Sequence, residues 1–325
     1  MSKFVGRLVK LGVGVEATRG AGKAPTWLLP WATLSVEDKI AKARSQGALG
    51  KLADSEEAFV TNQFAQGDTE FEFRDDVIGA FLYALFGTCS SGTVSDSAYT
   101  HTFTIDNDVD TKTLALTVED VNTKEQYKKA MIDSLEFNAT LDNTVMVTAS
   151  FMCKTSDVST VAMPSLTTES KVVKRGVKVK VATNLAGLTA ATVLSIKNLR
   201  VTFAKGAVLD DALGTAEPED ILATQFAVEG ELELNYEDET WKNYFRDGSV
   251  RAMEIVFENA TDLIGASSYP KLTFRFPDVD FYEWEPNYVL GEPVSQRVSF
   301  KASYDVSGGN DIVSTCTLVN ATVSY

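Results

Sequence analysis

Gly67-Asp-Thr-Glu-Phe-Glu-Phe-Arg-Asp75 has a second version in the same chain, Gly230-Glu-Leu-Glu-Leu-Asn-Tyr-Glu-Asp238. In the first, Phe71 and Phe73 alternate with Glu70 and Glu72; in the second, Leu232, Leu234 and Tyr236 alternate with Glu231, Glu233 and Asn235. A period of two sends the apolar side chains to one face and the glutamates to the other, so each stretch predicts a strand with one face buried and one in water. Upstream, Asn62-Gln-Phe-Ala65 answers Thr224-Gln-Phe-Ala227 and Ala48-Leu49-Gly50 answers Ala212-Leu213-Gly214. Lys39 with the strand before it answers Lys205 with Leu199-Arg-Val-Thr-Phe203. Collinear matches about half a chain apart predict an internal duplication.

Each copy continues in the same way. Asp75 and Asp76 offer N-cap chemistry, the residues after them are apolar, and Gly87 is a good stop, which predicts a helix over 77–86. Its counterpart is 239–247, stopped by Gly248. The first helix, with Val77, Ile78, Phe81, Leu82 and Leu85, is apolar all round and must be covered twice, by its own sheet and by an adjacent subunit or the chain's other half. The second sets one stripe of Trp241, Tyr244 and Phe245 against Lys242, Asn243 and Arg246. Further strands are expected at 101–105, 112–119, 132–141 and 144–153, then at 251–258, 271–276, 293–305 and 312–325, with a hairpin loop at Ser307-Gly-Gly-Asn310. Residues 154–170 hold eight Ser or Thr and Pro164, the composition of a connector. The expected division is therefore a β domain over 1–155, a linker over 156–170 and a second β domain over 171–325.

The formal charge of −15 opposes adsorption to phosphate backbones. Lys171, Arg175 and Lys178 echo Lys3, Arg7 and Lys10, and the run Val177 to Val181 reads as a charged solvent-facing strand. No apolar stretch approaches the ~20 residues of a membrane span, and no secretory core opens the chain, so a cytoplasmic site of folding is expected. Three scattered cysteines, Cys89, Cys153 and Cys316, form neither a disulfide framework nor a metal motif and read as small hydrophobes. Histidine chemistry would have to use His101, which sits without a nucleophile signature on a strand and reads as a half-exposed structural residue. Gly20-Ala-Gly22-Lys23 lacks the first glycine and the Ser/Thr of a phosphate loop, and Asp106, Asp108 and Asp110 lack the turn glycine and closing glutamate of a calcium loop. The Asn-Ala-Thr triplets at Asn138, Asn259 and Asn320 read as chance. No enzyme, cofactor or metal site is expected.

Gly12-Val-Gly14-Val-Glu16-Ala-Thr18, followed by Ala24-Pro25-Thr26-Trp27 and Leu29-Pro30, resembles the opening of tail tube proteins of long-tailed, siphophage-type bacteriophages. Asp38 to Gly50 and Gly67 to Gly87 resemble the family's charged loop and its acidic strand leading into a helix, and Phe281-Tyr-Glu-Trp284 through Ser299-Phe-Lys-Ala302 its closing strands. The resemblance implies β-sandwich or partial-barrel domains, each flanked by a helix, in rings that stack into a tube through which DNA leaves the virion. A usual ring holds six single domains, so a duplicated chain implies homotrimeric, pseudo-hexameric rings. Tape-measure, terminator and tail-tip proteins are the implied partners, with genomic DNA passing through unbound. A two-domain carbohydrate-binding or adhesive β protein is the alternative. Three further expectations concern the tube. Sheet edges of neighbouring chains close into one barrel. The charged segments 38–62 and 205–223, long for loops, order on neighbours and serve ring stacking. Glu70, Glu72, Glu231 and Glu233 face the lumen, where carboxylates repel DNA.

Overall fold

The computed structural model describes residues 5–47, 50–95 and 97–325. Ala48 and Leu49 of the matched triplet, and Lys3, lie outside the described residues. Within the large antiparallel sheet, a layer of eight strands runs through both halves. Its order is Thr33–Leu34 continued by Glu37–Arg44, Ala58–Glu72, Met146–Cys153, Lys124–Ala139, Ile196–Ala204, Ala227–Asn235, Ser295–Ser303 and Lys271–Asn287.

The pairing of the first four strands recurs in the last four, residue by residue. Met146 lies opposite Glu72 and Asn138; Ser295 lies opposite Asn235 and Asn287. Leu34 faces Thr69 as Leu199 faces Leu232. Even the bulges coincide: the register slips at Asp133, between Ser134 and Ile132, and again at Tyr282, between Glu283 and Phe281. The side strands repeat too. Lys10–Val15 pairs with Leu114–Glu119, which pairs with the start of Lys124–Ala139. Val177–Ala182 pairs with Arg251–Glu258, which pairs with the start of Lys271–Asn287. The glycine that opens each quoted stretch has the same use. A Cβ on Gly67 would lie 2.1 Å from the Ser35 carbonyl oxygen, and one on Gly230 would lie 2.5 Å from that of Arg200, so only glycine lets the neighbouring strand approach.

Helix α1, Val77–Phe86, comes after the first acidic strand and helix α2, Thr240–Asp247, after the second, each ended by a glycine at positive φ, Gly87 and Gly248. Beyond the helices the two halves diverge. After α1 a hairpin of Gly87–Ser95 and Ala98–Ile105 is inserted, and it pairs with Thr315–Asn320 at the far end of the chain. After α2 the chain passes directly into Arg251–Glu258. The two halves share one continuous core, in which Phe137 meets Phe203, Phe257 and Phe274.

Several expected bounds change. The strand expected at 132–141 begins at Lys124, and the one at 271–276 runs on through Pro286 to Asn287. The strand expected at 312–325 shortens to Thr315–Asn320. The 307–310 turn forms, with Gly309 at φ +67° and its N–H donating to Asp305 O, but its flanking strands do not pair with each other; both join Lys271–Asn287. Residues 205–223 are not a free loop: Ala207–Asp210 and Asp220–Ala223 form a two-stranded ribbon folded over the first half. Within the expected linker, Ser156–Val158 pairs with Glu125–Tyr127.

Candidate assembly surfaces

The four glutamates singled out by alternation lie on one solvent-facing side of the eight-stranded layer, because each follows its strand's pleat away from buried Phe71, Phe73, Leu232 and Leu234. Glu136, Glu229, Glu283 and Glu285 join them through the same alternation on neighbouring strands. The face is not purely acidic. Arg200 pairs with Glu136 at 2.7 Å, Arg297 with Glu231 at 3.0 Å, Lys301 with Glu229 at 2.7 Å, and Lys171 with Glu72. The Lys171 ammonium is the main cause that holds the Glu72 carboxyl below its usual range. A hollow of 450 Å³ opens on this face, bordered by Arg200, Thr202, Glu229, Glu231, Tyr282 and Lys301. These cations are not legible in the sequence because none shares a strand with the carboxylate it pairs with, and only the fold brings the two together.

The layer ends on two unpaired edges among the described residues. One is the outer side of Thr33–Leu34 and Glu37–Arg44; the other is the outer side of Lys271–Asn287 beyond Val279, the last residue there to pair with Arg251–Glu258. Midway between them, Ala139 to Ser134 of the first half pair with Leu199 to Ala204 of the second. This seam has a polar clasp. Arg19 donates to Asp220 at 2.5 Å and to Ile221 O at 2.7 Å, Lys129 reaches Asp220 at 3.0 Å, and Asn62 donates to Asp211 at 2.9 Å. Beneath it Met131, Ala207 and Ile221 form a small apolar cluster.

A family model described as phage tail tube protein matches residues 6–323. The chain belongs to the phage tail tube protein family. It is thereby a structural component of a bacteriophage tail, mainly β in fold, as the resemblance implied. No curated protein matches the chain.

Within this tail tube protein, α1 is sealed. Val77, Ile78, Phe81, Leu82 and Leu85 are all at 0% exposure. Its own sheet covers one side, with Phe81 against Phe71 and Phe151. The inserted hairpin and the chain's other half cover the rest: Phe86 meets Phe103, Phe203 and Phe226, Tyr325 lies over Gly79, and buried Lys205 donates to Ala84 O at 2.9 Å and to Thr111. Burial, with Arg19 nearby, pushes the Lys205 ammonium down to about 8. The anticipated N-cap does not form. The Asp76 carboxylate accepts from Thr322 and that of Asp75 from Ser170 N, while Val77 N donates to Glu169. In α2, Trp241 and Tyr244 pack on Phe281, but Phe245 turns outward and is 42% exposed, so the expected stripe is two residues wide.

The discarded motifs have local explanations. Gly20 N and Gly22 N do cradle an anion, but it is the buried Glu16 carboxylate of the same chain, at 2.7 and 2.9 Å, which also accepts from Thr113. His101 is fully buried, not half-exposed. Its Nε2–H donates to Asn320 Oδ1 and Thr322 O, its Nδ1 accepts from Ser91, and burial pulls its pKa down. Lys178 and Lys180 are paired with Glu258 and Glu254. Cys153 and Cys316 are buried, and Cys89 is partly so. Among the described residues no His, Cys, Asp and Glu cluster could hold a metal, and no helix is long and apolar enough to cross a membrane.

Proposed function

We propose that this chain is a tandem pair of tail-tube domains, 1–155 and 171–325 joined by 156–170, and that three copies close into a ring whose stacking builds the conduit for DNA ejection. One observation carries this reading: the seam between Lys124–Ala139 and Ile196–Ala204 joins the last strand of one repeat to the first of the next, and the counterpart edges stand open at the two ends of the layer. An open edge is a row of unpaired N–H and C=O groups, and repeating the same seam between chains satisfies it. Three chains of eight strands then form a closed barrel, a heterologous interface that ends in a ring.

The glutamate face is the proposed lumen. The eight glutamates named on it outnumber the four cations paired among them, so a passing phosphate backbone meets repulsion and a layer of water instead of a counterion-releasing surface. The 205–223 ribbon is proposed as a lateral clasp, and its counterpart, the longer arm 38–62, as the segment reaching the neighbouring chain and the next ring. Tape-measure, terminator and tail-tip proteins are the proposed partners at the tube's inside and ends.

Sedimentation and negative-stain microscopy of the purified chain test the ring: threefold rings or tubes support it, and a compact monomer at high concentration overturns it. Replacing Glu70, Glu72, Glu231 and Glu233 together by Lys tests the lumen. Salt-dependent slowing of DNA exit from correctly assembled particles is expected; unchanged ejection at low salt removes the assignment.

A further inference from the structure

We infer that the turn Tyr288-Val289-Leu290 of one chain seats in the apolar hollow bordered by Val5, Val9, Leu28, Leu29, Pro30 and Trp31 of the next, a knob and socket between copies of this chain. The inference rests on the ring proposed above and specifies what locks it.

The turn is the most exposed apolar run in the second half: Tyr288 is 72% and Leu290 104% exposed. Isolated surface hydrophobes are ordinary, but three in succession at a turn tip mark a contact. The hollow, 660 Å³ in volume, lies in the first half beside the open Thr33–Leu34 edge. Nothing in one chain brings the two together.

The chain nevertheless sets the counterpart segments side by side once, with Ala139 buried and Leu141 47% exposed. At the internal seam, Ala139, Thr140 and Leu141 of the first half border a 290 Å³ hollow with Lys174, Val177, Leu194, Ser195, Ile196 and Lys197 of the second. The shared register identifies the counterparts. Asn138 and Asn287 occupy the same place, so Ala139-Thr140-Leu141 corresponds to Tyr288-Val289-Leu290. Leu199 and Leu34 occupy the same place, so Leu194 to Lys197 correspond to Leu29 to Ala32. The short 3-10 turns Lys174–Gly176 and Gly6–Leu8 precede equivalent strands, so Lys174 and Val177 correspond to Gly6 and Val9. Gly6, Val9, Leu29, Pro30, Trp31 and Ala32 all border the first-half hollow. The empty socket is thus the internal one without its knob, and the exposed turn is the internal knob without its socket.

The substitutions between the two versions point the same way. On the knob, Ala-Thr-Leu becomes Tyr-Val-Leu; in the socket, Ser195-Ile196-Lys197 becomes Pro30-Trp31-Ala32. Both partners are larger or more apolar where they must bind between chains without a covalent tether. The backbone ladder there is also weaker. Lys205 N donates to Asp133 O, so by antiparallel alternation Phe137 turns its N–H toward Val201 across the internal seam. Its counterpart is Pro286, which has no N–H to give. The Glu136–Arg200 ion pair of the internal seam is likewise lost, because Ser35 stands where Arg200 does. Side-chain interlock replaces what the ladder lacks.

The test uses the full chain. Tyr288→Asp and Leu290→Asp, at exposed positions, should leave the circular dichroism and melting of the unassembled chain unchanged while raising the concentration for half-assembly roughly tenfold or more, a factor expected from losing one buried apolar anchor. A Val5→Asp socket variant mixed with Leu290→Asp should give a heterodimer and no ring, since one good knob and one good socket remain. Variants that assemble at wild-type concentration overturn the lock. The ring itself is read separately by Ser35→Cys with Asn287→Cys, which the shared register sets opposite each other across the chain-to-chain seam. A cross-linked ring whose knob variants assemble normally leaves the ring and removes the lock; no cross-link with a monomeric wild type removes both.

Discussion

Helices α1 and α2 occupy the same place in two halves with the same strand pairing, yet one is entombed and the other lies half in water. The cause is the cover each half receives. Over α1 lie Phe203, Phe226, Lys205 and Tyr325, all from the second half. Over α2 no such layer folds back among the described residues, so its outer face carries Lys242, Asn243 and Arg246. Gly79 and Lys242 show this at one position. Tyr325 rests on α1 where the glycine has no side chain, whereas Lys242 sets its ammonium over the Trp284 ring at 5.7 Å. A duplicated domain can therefore keep its pairing scheme while its helix composition records whether a neighbour is covalently attached.

The strongest way to break this comparison is a charge in the sealed helix. Phe81→Asp places a carboxylate at a fully buried site between Phe71 and Phe151 and should cost about 5 kcal/mol or more, enough to abolish soluble folded chain. Soluble expression and a cooperative melt check it; a folded Phe81→Asp chain would mean that α1 is not sealed.

Next in size is Gly79→Ala. Its Cβ would fall 2.0 Å from the Tyr325 ring, so about 1–3 kcal/mol of overpacking is expected. Tyr325→Ala should remove most of that cost, and a double-mutant cycle by urea unfolding reads the coupling; additive losses would show that the two residues do not touch.

The starts of the two helices should also answer pH in opposite ways. Burial, with Asp76 and Glu169 nearby, raises the Asp75 carboxyl from 3.8 to about 7, while the Thr240 N–H lowers its counterpart Asp238. A raised carboxyl in the folded state holds its proton after the unfolded chain has released it. Asp75 therefore contributes a loss of stability as pH rises from about 4 to about 7. Glu169, also raised to about 7 by burial, adds to the same trend, and the neighbouring carboxyls titrate as a group. Asp75→Asn keeps the acceptor for Ser170 N and should flatten the fall in melting temperature over this range, whereas Asp238→Asn should not. Equal slopes in the two variants would contradict the assignment.

The smallest effect is expected at Phe245, whose ring faces outward: Phe245→Ser should change the stability of the unassembled chain by no more than about 0.5 kcal/mol. A loss of several times that would show that the α2 stripe is as wide as its sequence suggests.

Local pattern decided much of this protein. Alternation around Phe71 and Leu232 placed both acidic strands and turned all four glutamates to water, and the glycines at 87 and 248 ended both helices. These features depend on residues a few positions apart, and pleat and helix-stop geometry act over that distance. The repeat was legible for the same reason, since each copy preserves its own short-range pattern. The sequence did not show that 205–223 folds back as a ribbon, that Lys205 is buried against Ala84, or that Arg200, Arg297 and Lys301 sit among the glutamates. Nor did it show that Phe245 escapes the core or that the strand beginning at Lys271 runs through Pro286 to become an edge. Each of these depends on which distant strand lies alongside, and a register between segments tens to hundreds of residues apart leaves no periodic trace in either segment. Only the folded sheet, by bringing those strands together, decides it.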